Sequence, residues 1–273
     1  DAVVLSGGSV YGLAAADGVT AWLGARGRGY GMVTRPDVPL SPVVPAAILY
    51  DLANGGDKRW GQDPPYRALG LAAVAAAAEG RFDLGSVGAG AGAMAGTVKG
   101  GLGSASVVTD DGVTVAAIVA VNAFGSVLAP GGRTFWATPY EIDGEFGGLP
   151  LDGLRAMPDD WGPAKGSAAA ALRANTTIAC VATDAALTPA QAKRVAIMAQ
   201  DGLARSIRPV HAQSDGDVVF ALSTARRPLA EPSSAALTRL GALAADCLAR
   251  AVARGVFEAT AWTGDSAKAW RDL

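Results

Sequence analysis

The chain has 273 residues, half of them hydrophobic, with 23 Lys plus Arg against 25 Asp plus Glu and a formal net charge of −2. That length buries a substantial core, as one large domain or two small ones, and near-balanced charge without a basic patch argues against a nucleic-acid partner. No apolar stretch reaches the roughly 18 residues of a membrane-spanning helix; the longest, Leu69 to Ala78, is alanine-dominated.

The chain opens at Asp1-Ala2-Val3-Val4-Leu5, already a strand, with neither initiator Met nor leader, so residues are expected ahead of it. Ser6-Gly7-Gly8-Ser9 reads as a tight turn into a helix over Val10 to Ala25. Four prolines between Arg35 and Pro45 impose an extended connection, and Ala46 to Leu52 follows as a short strand. Tyr66 to Glu79 predicts a helix closed by Gly80, before a glycine-rich centre over Gly85 to Gly103. Ser104 to Val108 and Val113 to Val121 form a hairpin around Thr109-Asp110-Asp111-Gly112. Pro130 to Gly166 is expected to be irregular and exposed.

From Thr176 the alternation of Thr177, Ala179 and Val181 with Ile178, Cys180 and Ala182 predicts a strand. Thr188-Pro189-Ala190-Gln191 is a capping box with Pro at the first helical position, opening a helix to about Ser206. A strand over Val218 to Ser223 and a long helix capped by Ser233 or Ser234 and ending near Gly255 complete the chain. Strands and helices mix with hairpins, so the content is α/β without being a plain run of βαβ units. Cys180 and Cys247 stand alone, which makes neither a metal motif nor a disulfide framework. Buried free thiols in a cytoplasmic protein, with no metal and no cofactor, are expected.

Several residues could carry chemistry. Gly90, Gly92 and Ala95 make a loose dinucleotide match, but Arg81-Phe82-Asp83-Leu84-Gly85 is a poor buried strand ahead of it, and close backbone packing explains the glycines better. His211 is the one histidine, and without a Gly-x-Ser-x-Gly elbow a Ser-His-Asp enzyme is not indicated. A histidine in such a loop is more often structural. Lys99, flanked by glycines, could sit in a crowded site and shift neighbouring pKa values, although a surface lysine is the commoner case. Asn122, ending an apolar strand, could donate to an oxyanion or simply form a turn. Asp215 and Asp217 flank Gly216 just before a strand, able to orient an ammonium or merely to make a solvated turn.

Asn175-Thr176 is a junction of loop and strand where a self-cutting chain would place its cut. Breaking it would give Thr176 a free α-amine of pKa about 7.7–8.0 beside its own hydroxyl, a known way to activate a threonine. On these residues alone, a strand that happens to begin with two threonines is the simpler reading.

Taken together, Leu5-Ser6-Gly7-Gly8-Ser9-Val10-Tyr11-Gly12-Leu13, Val98-Lys99-Gly100-Gly101-Leu102-Gly103, Val121-Asn122, Asn175-Thr176 and Asp215-Gly216-Asp217-Val218-Val219-Phe220-Ala221 resemble a family of self-processing amidohydrolases. It includes nylon-oligomer (6-aminohexanoate-oligomer) endohydrolase, β-peptidyl aminopeptidases and D-aminopeptidases, and the match spans nearly the whole chain in order. The resemblance implies a four-layer α-β-β-α sandwich related to N-terminal-nucleophile hydrolases. It implies one hydrolase domain over 1–273, cut between Asn175 and Thr176 into a larger and a smaller piece that stay together, in a homotetramer. Thr176 would be the nucleophile, Asn122 the oxyanion donor, Lys99 the charge favouring a neutral amine, and Asp215 with Asp217 the holders of the nitrogens. Tyr50 would line the substrate cleft. A threonine in place of the aminopeptidases' serine tilts the expected substrate toward oligoamides. An aminopeptidase, a threonine acyltransferase and a non-catalytic binding module are the alternatives.

Overall fold

A computed structural model describes residues 1–33, 35–151, 154–165, 175–262 and 267–273. Its centre is a four-stranded sheet in the order β5-β6-β7-β8, from Gly101–Val108, Thr114–Asn122, Thr176–Ala185 and Val218–Arg227. β5, β6 and β7 are successively antiparallel, whereas β7 and β8 run parallel. Parallel neighbours need a crossover, supplied here by α3 (Pro189–Ala199) and α4 (Asp201–Ser206). The expected capping box opens α3, with the Thr188 side chain and the Gln191 side chain each accepting from the other's backbone.

The two faces of this sheet differ. Val119, Val121, Ala179 and Val181 point into the main core beneath α5 (Ser233–Phe257), whose buried stripe includes Ala244, Leu248, Ala251 and Val252. Ala120 and Ile178 point the other way, onto Ala47 and Leu49 beside the β1–β2 pair. β1 (Val4–Ser6) and β2 (Ala46–Ile48) are parallel, and a second small pair joins β3 (Met94–Ala95) to β4 (Val98–Lys99). Outside them α1 (Ala14–Gly24) crosses α2 (Tyr66–Ala76) at small residues: a Cβ on Gly70 would come within 2.1 Å of the Ala15 carbonyl. The layers therefore run helix, sheet, sheet, helix, as the sequence led us to expect.

Some expectations need correction. Neither Ser233 nor Ser234 caps α5; Pro232 is the extended cap residue, and the Glu231 carboxylate accepts from the Ser233 N–H at 2.7 Å, as suits an anion at a helix start. The helix expected to Ser206 breaks at Gln200, and Gly202 beyond the break lets α4 press close to α5. α2 stops at Ala76 rather than reaching Gly80, because its alanines offer little to bury; Gly70 is its one buried residue. The segment after Pro130 is irregular but not uniformly exposed, since Phe135, Ala137 and Phe146 lie in the main core. Cys180 and Cys247 are free and buried, and burial pushes each thiol up to about 11. No described helix is long and apolar enough to cross a membrane.

Glycines let α5 lie directly on β5: a Cβ at Gly103 would stand 1.8 Å from the Ala251 carbonyl oxygen. Gly103→Ala is expected to lose about 3 kcal/mol or more by overpacking. Gly131→Ala, where nothing lies within 4 Å, should lose only about 1 kcal/mol from its left-handed backbone. Urea unfolding of the two variants makes the comparison.

Candidate active site

The site grows from the ends of β6 and β7. Their antiparallel register places Asn122 directly opposite Thr176. Because side chains alternate along a strand, Thr176 shares its face with Ile178, while Thr177 turns toward the helices and is fully buried. Thr177 Oγ1 has no hydrogen-bond partner among the described residues. The two threonines are thus on opposite sides of the sheet.

Asn122 is fully buried. Its Oδ1 accepts from the Met94 N–H at 2.9 Å and its Nδ2 donates to the Tyr50 carbonyl at 2.8 Å. The amide orientation is fixed by these bonds, which tie β6 to β3 and to the residues after β2. Tyr50 joins the site through this carbonyl. Lys99, paired with Met94 across β3–β4, is also fully buried, so it is not a surface lysine. Its Nζ donates to the Ala91 carbonyl at 3.2 Å and stands 4.0 Å above the Trp262 ring, a cation–π contact that eases desolvation.

Thr176 is 8% exposed, and its hydroxyl donates to the carbonyl of Asn175, the residue before it. A Cβ on Gly216 would come within 3.2 Å of that oxygen, so glycine there leaves room beside the hydroxyl. Asp217 Oδ1 accepts from the Thr177 N–H at 2.7 Å, and Oδ2 accepts from His211 Nδ1 at the same distance. Asp215 pairs with Asn175 in parallel fashion, extending the β7–β8 ladder upstream. The Asp215 carboxylate accepts from the Phe124 N–H at 3.3 Å and the Ala212 N–H at 2.9 Å. Burial, then the charge of Asp217, raises its pKa against the pull of these donors and of Lys165.

Lys165, Ser214 and His211 take part in a way the sequence reading missed. Lys165 Nζ donates to Asn175 Oδ1 at 2.8 Å, and Asn175 Nδ2 donates to Ser214 Oγ at 3.3 Å. Burial lowers the Lys165 pKa to about 8, with Asp215 opposing the shift. No periodicity marks Lys165, because only tertiary contact brings it to Asn175. His211 had a local signal, six residues before Asp217, that was read as structural. A cavity of about 700 Å³, bounded by Val98, Arg133, Asp160, Pro163 and Lys268, lies along β4; Thr176 does not line it. Among the described residues no cluster of His, Cys, Asp and Glu could hold a metal ion.

The sequence matches peptidase family S58 over residues 1–269. The chain belongs to that family. An uncharacterised aminopeptidase of Mycobacterium tuberculosis is 44% identical over 274 residues, covering 95% of this chain and 74% of the relative. A 6-aminohexanoate-oligomer endohydrolase of Agromyces is 29% identical over 229 residues, covering 82% and 60% respectively. Among solved structures, a Burkholderia β-aminopeptidase matches with a TM-score of 0.57 at 25% identity, over 90% of this chain and 64% of that one. The L-aminopeptidase/D-Ala-esterase/amidase from Ochrobactrum anthropi, a variant among the Ntn-hydrolase fold, matches with a TM-score of 0.61 at 23% identity, over 93% of this chain and 66% of that one. This S58 chain is thus a peptidase or amidohydrolase with the Ntn-hydrolase fold.

The depressed Lys165 pKa has a thermodynamic consequence. Between about 8 and the ordinary lysine value of 10.5 the unfolded chain keeps a proton that the folded chain has released, so stability rises with pH across that window. Comparing wild type with Lys165→Met by urea unfolding, the wild-type chain should gain at most about 2 kcal/mol more than the variant between pH 7.5 and 9.5.

Proposed function

We propose that this S58 chain is an amide hydrolase whose nucleophile is Thr176, exposed as a new N-terminus by self-cleavage of the Asn175–Thr176 bond. The observation that carries the reading is the Thr176 hydroxyl donating to the Asn175 carbonyl, at the strand position facing Asn122. The reacting oxygen already lies against the peptide it would attack, as proximity catalysis requires.

In the first reaction Thr176 Oγ1 adds to the Asn175 carbonyl carbon, the C–N bond breaks, and the proton lost by the hydroxyl ends on the departing Thr176 nitrogen. Water then hydrolyses the Asn175 ester, leaving a carboxylate on the 1–175 piece and a free amine on the 176–273 piece. The two stay together because β6 and β7 remain paired along their length. In turnover the Thr176 amine takes the hydroxyl proton while Oγ1 attacks the substrate amide carbon. Asn122 Nδ2 steadies the oxyanion, a contribution typically of about 2.7–4 kcal/mol. The protonated amine returns its proton to the leaving amine, and water releases the acyl group.

The buried Lys99 charge favours the neutral, basic form of the amine by like-charge repulsion. Asp217, holding the Thr177 N–H, and Asp215, alongside Asn175, fix the position of the new terminus. Tyr50 lines the substrate side. The same reading includes a homotetramer in the cytoplasm.

For substrate, removal of an N-terminal residue from short peptides now stands beside oligoamide cleavage. The relatives at 44% identity carry the name aminopeptidase, while those named oligomer endohydrolase stand at 29% and 28%. Free-amine aminoacyl anilides of L, D and β configuration, tested against N-blocked analogues and 6-aminohexanoate oligomers, separate the two. A dependence of turnover on added amine would instead indicate acyl transfer.

Intact-mass analysis of purified protein should show two species, one ending at Asn175 and one beginning at Thr176. Thr176→Ala should leave the chain whole and abolish turnover. Thr177→Ala should still cut, since its hydroxyl is on the other side of the sheet. A wild-type chain that stays whole on long incubation would contradict the proposal.

A further inference from the structure

Asn175, on the acyl side of the proposed cut, is 1% exposed and its carboxamide is gripped at both ends. Lys165 Nζ holds Oδ1 and Ser214 Oγ holds Nδ2. Lys165 is itself anchored: its backbone N–H donates to the Phe124 carbonyl at 3.0 Å, two residues beyond Asn122. Phe124 in turn donates its N–H to Asp215, the residue paired with Asn175. The grip therefore joins the end of β6 to the 212–216 loop, with the bond between residues 175 and 176 inside it.

Burying an ammonium is unfavourable unless it is paired and hydrogen-bonded. Lys165 is largely withdrawn from solvent all the same, with Asp215 as its nearby opposite charge and a carboxamide oxygen accepting its hydrogen bond. Nζ bonds that neutral acceptor rather than the nearby Asp215 carboxylate, a choice that suits aiming the carboxamide better than it suits stability alone. Holding both ends of the carboxamide fixes where the Asn175 Cα sits and so restricts the swing of its own carbonyl, which is what Thr176 Oγ1 touches.

We propose that Lys165 is a positioning residue for self-cleavage, locking the Asn175 carboxamide so that the Asn175 carbonyl carbon is presented to Thr176 Oγ1. The inference rests on the self-cleavage reading above and extends it to a residue outside the nucleophile, oxyanion and carboxylate set. Lys165 forms and breaks no bond; it acts through Asn175.

The test follows the time course of cutting in freshly made full-length chain by intact mass, for wild type, Lys165→Met, Lys165→Arg, Asn175→Ala and the double variant Lys165→Met/Asn175→Ala. Lys165→Met should cut about 10- to 100-fold more slowly, the scale of a small misplacement of reacting atoms. Lys165→Arg, which keeps a cationic donor, should recover most of the rate. The double variant should cut no more slowly than Asn175→Ala alone, because the two residues act as one unit. A merely structural lysine would instead give effects that multiply in the double variant, and that result overturns the proposal. So does Lys165→Met cutting at the wild-type rate. If Lys165→Met does not fold, Lys165→Gln, which retains a donor without charge, takes its place in the same cycle. A wild-type chain that never cuts removes the self-cleavage reading and this inference together, whereas equal cutting by wild type and Lys165→Met removes this inference alone.

Discussion

The pairing of Asn122 with Thr176 across β6 and β7 is the constraint on which the site depends. A register slip of one residue would turn Thr176 toward α5 and bring Thr177 to its place. The slip is prevented by the alternation itself. Val119, Val121, Ala179 and Val181 fit the helix-side core, and Ala120 and Ile178 fit the layer beneath β1 and β2. Shifting the strand would expose none of these residues to water but would press each into the wrong core. The hydrophobic pattern of two strands thus sets which threonine faces Asn122, and the packing of the central sheet becomes a statement about chemistry.

Around that pair the protein concentrates groups that are unfavourable to bury. Lys99 is wholly buried over Trp262, Lys165 is held with its pKa lowered, and Asp215 with its pKa raised. Desolvation is the first cause of both shifts, so each group is less comfortable in its charged form than it would be in water. Lys165 and Asp215 act on each other beside Asn175, and neighbouring groups shifted in this way are characteristic of functional sites. The backbone partners of all three groups are spread over four places in the sequence, namely β4, the end of β6, the 163–165 segment and the 212–217 loop. Only the finished fold holds them together, so assembly of the site waits on assembly of the sheet.

Much of this was legible in the sequence where the signal was local. The hairpin around Gly112, the Thr188 capping box and the strand beginning at Thr176 follow from turn chemistry and periodicity, and each formed where expected. The start of α5 was misplaced because Glu231, two residues upstream of Ser233, supplies the capping oxygen that a serine would ordinarily give. Lys165 carries no sequence signal because its significance lies in a contact ten residues along the chain and in partial burial that no pattern encodes. His211 has a local signal in its spacing to Asp217, but a histidine in a polar loop is more often structural, and only the folded contact ties it to that carboxylate. Lys99 and Asn122 stood out only when grouped with the other pieces of the family resemblance. The segment 166–174, directly upstream of the proposed cut, lies outside the described residues.

The central claim is that the oxygen of residue 176 is the attacking atom. A β-lactone probe tests it, since ring opening by a nucleophilic hydroxyl leaves a stable ester on that oxygen. Peptide mass spectrometry after inactivation should find a single adduct, on a fragment whose first residue is Thr176. Inactivation with the adduct on Ser9, Thr177 or any other side chain, or on a chain still continuous through residue 175, would contradict the account.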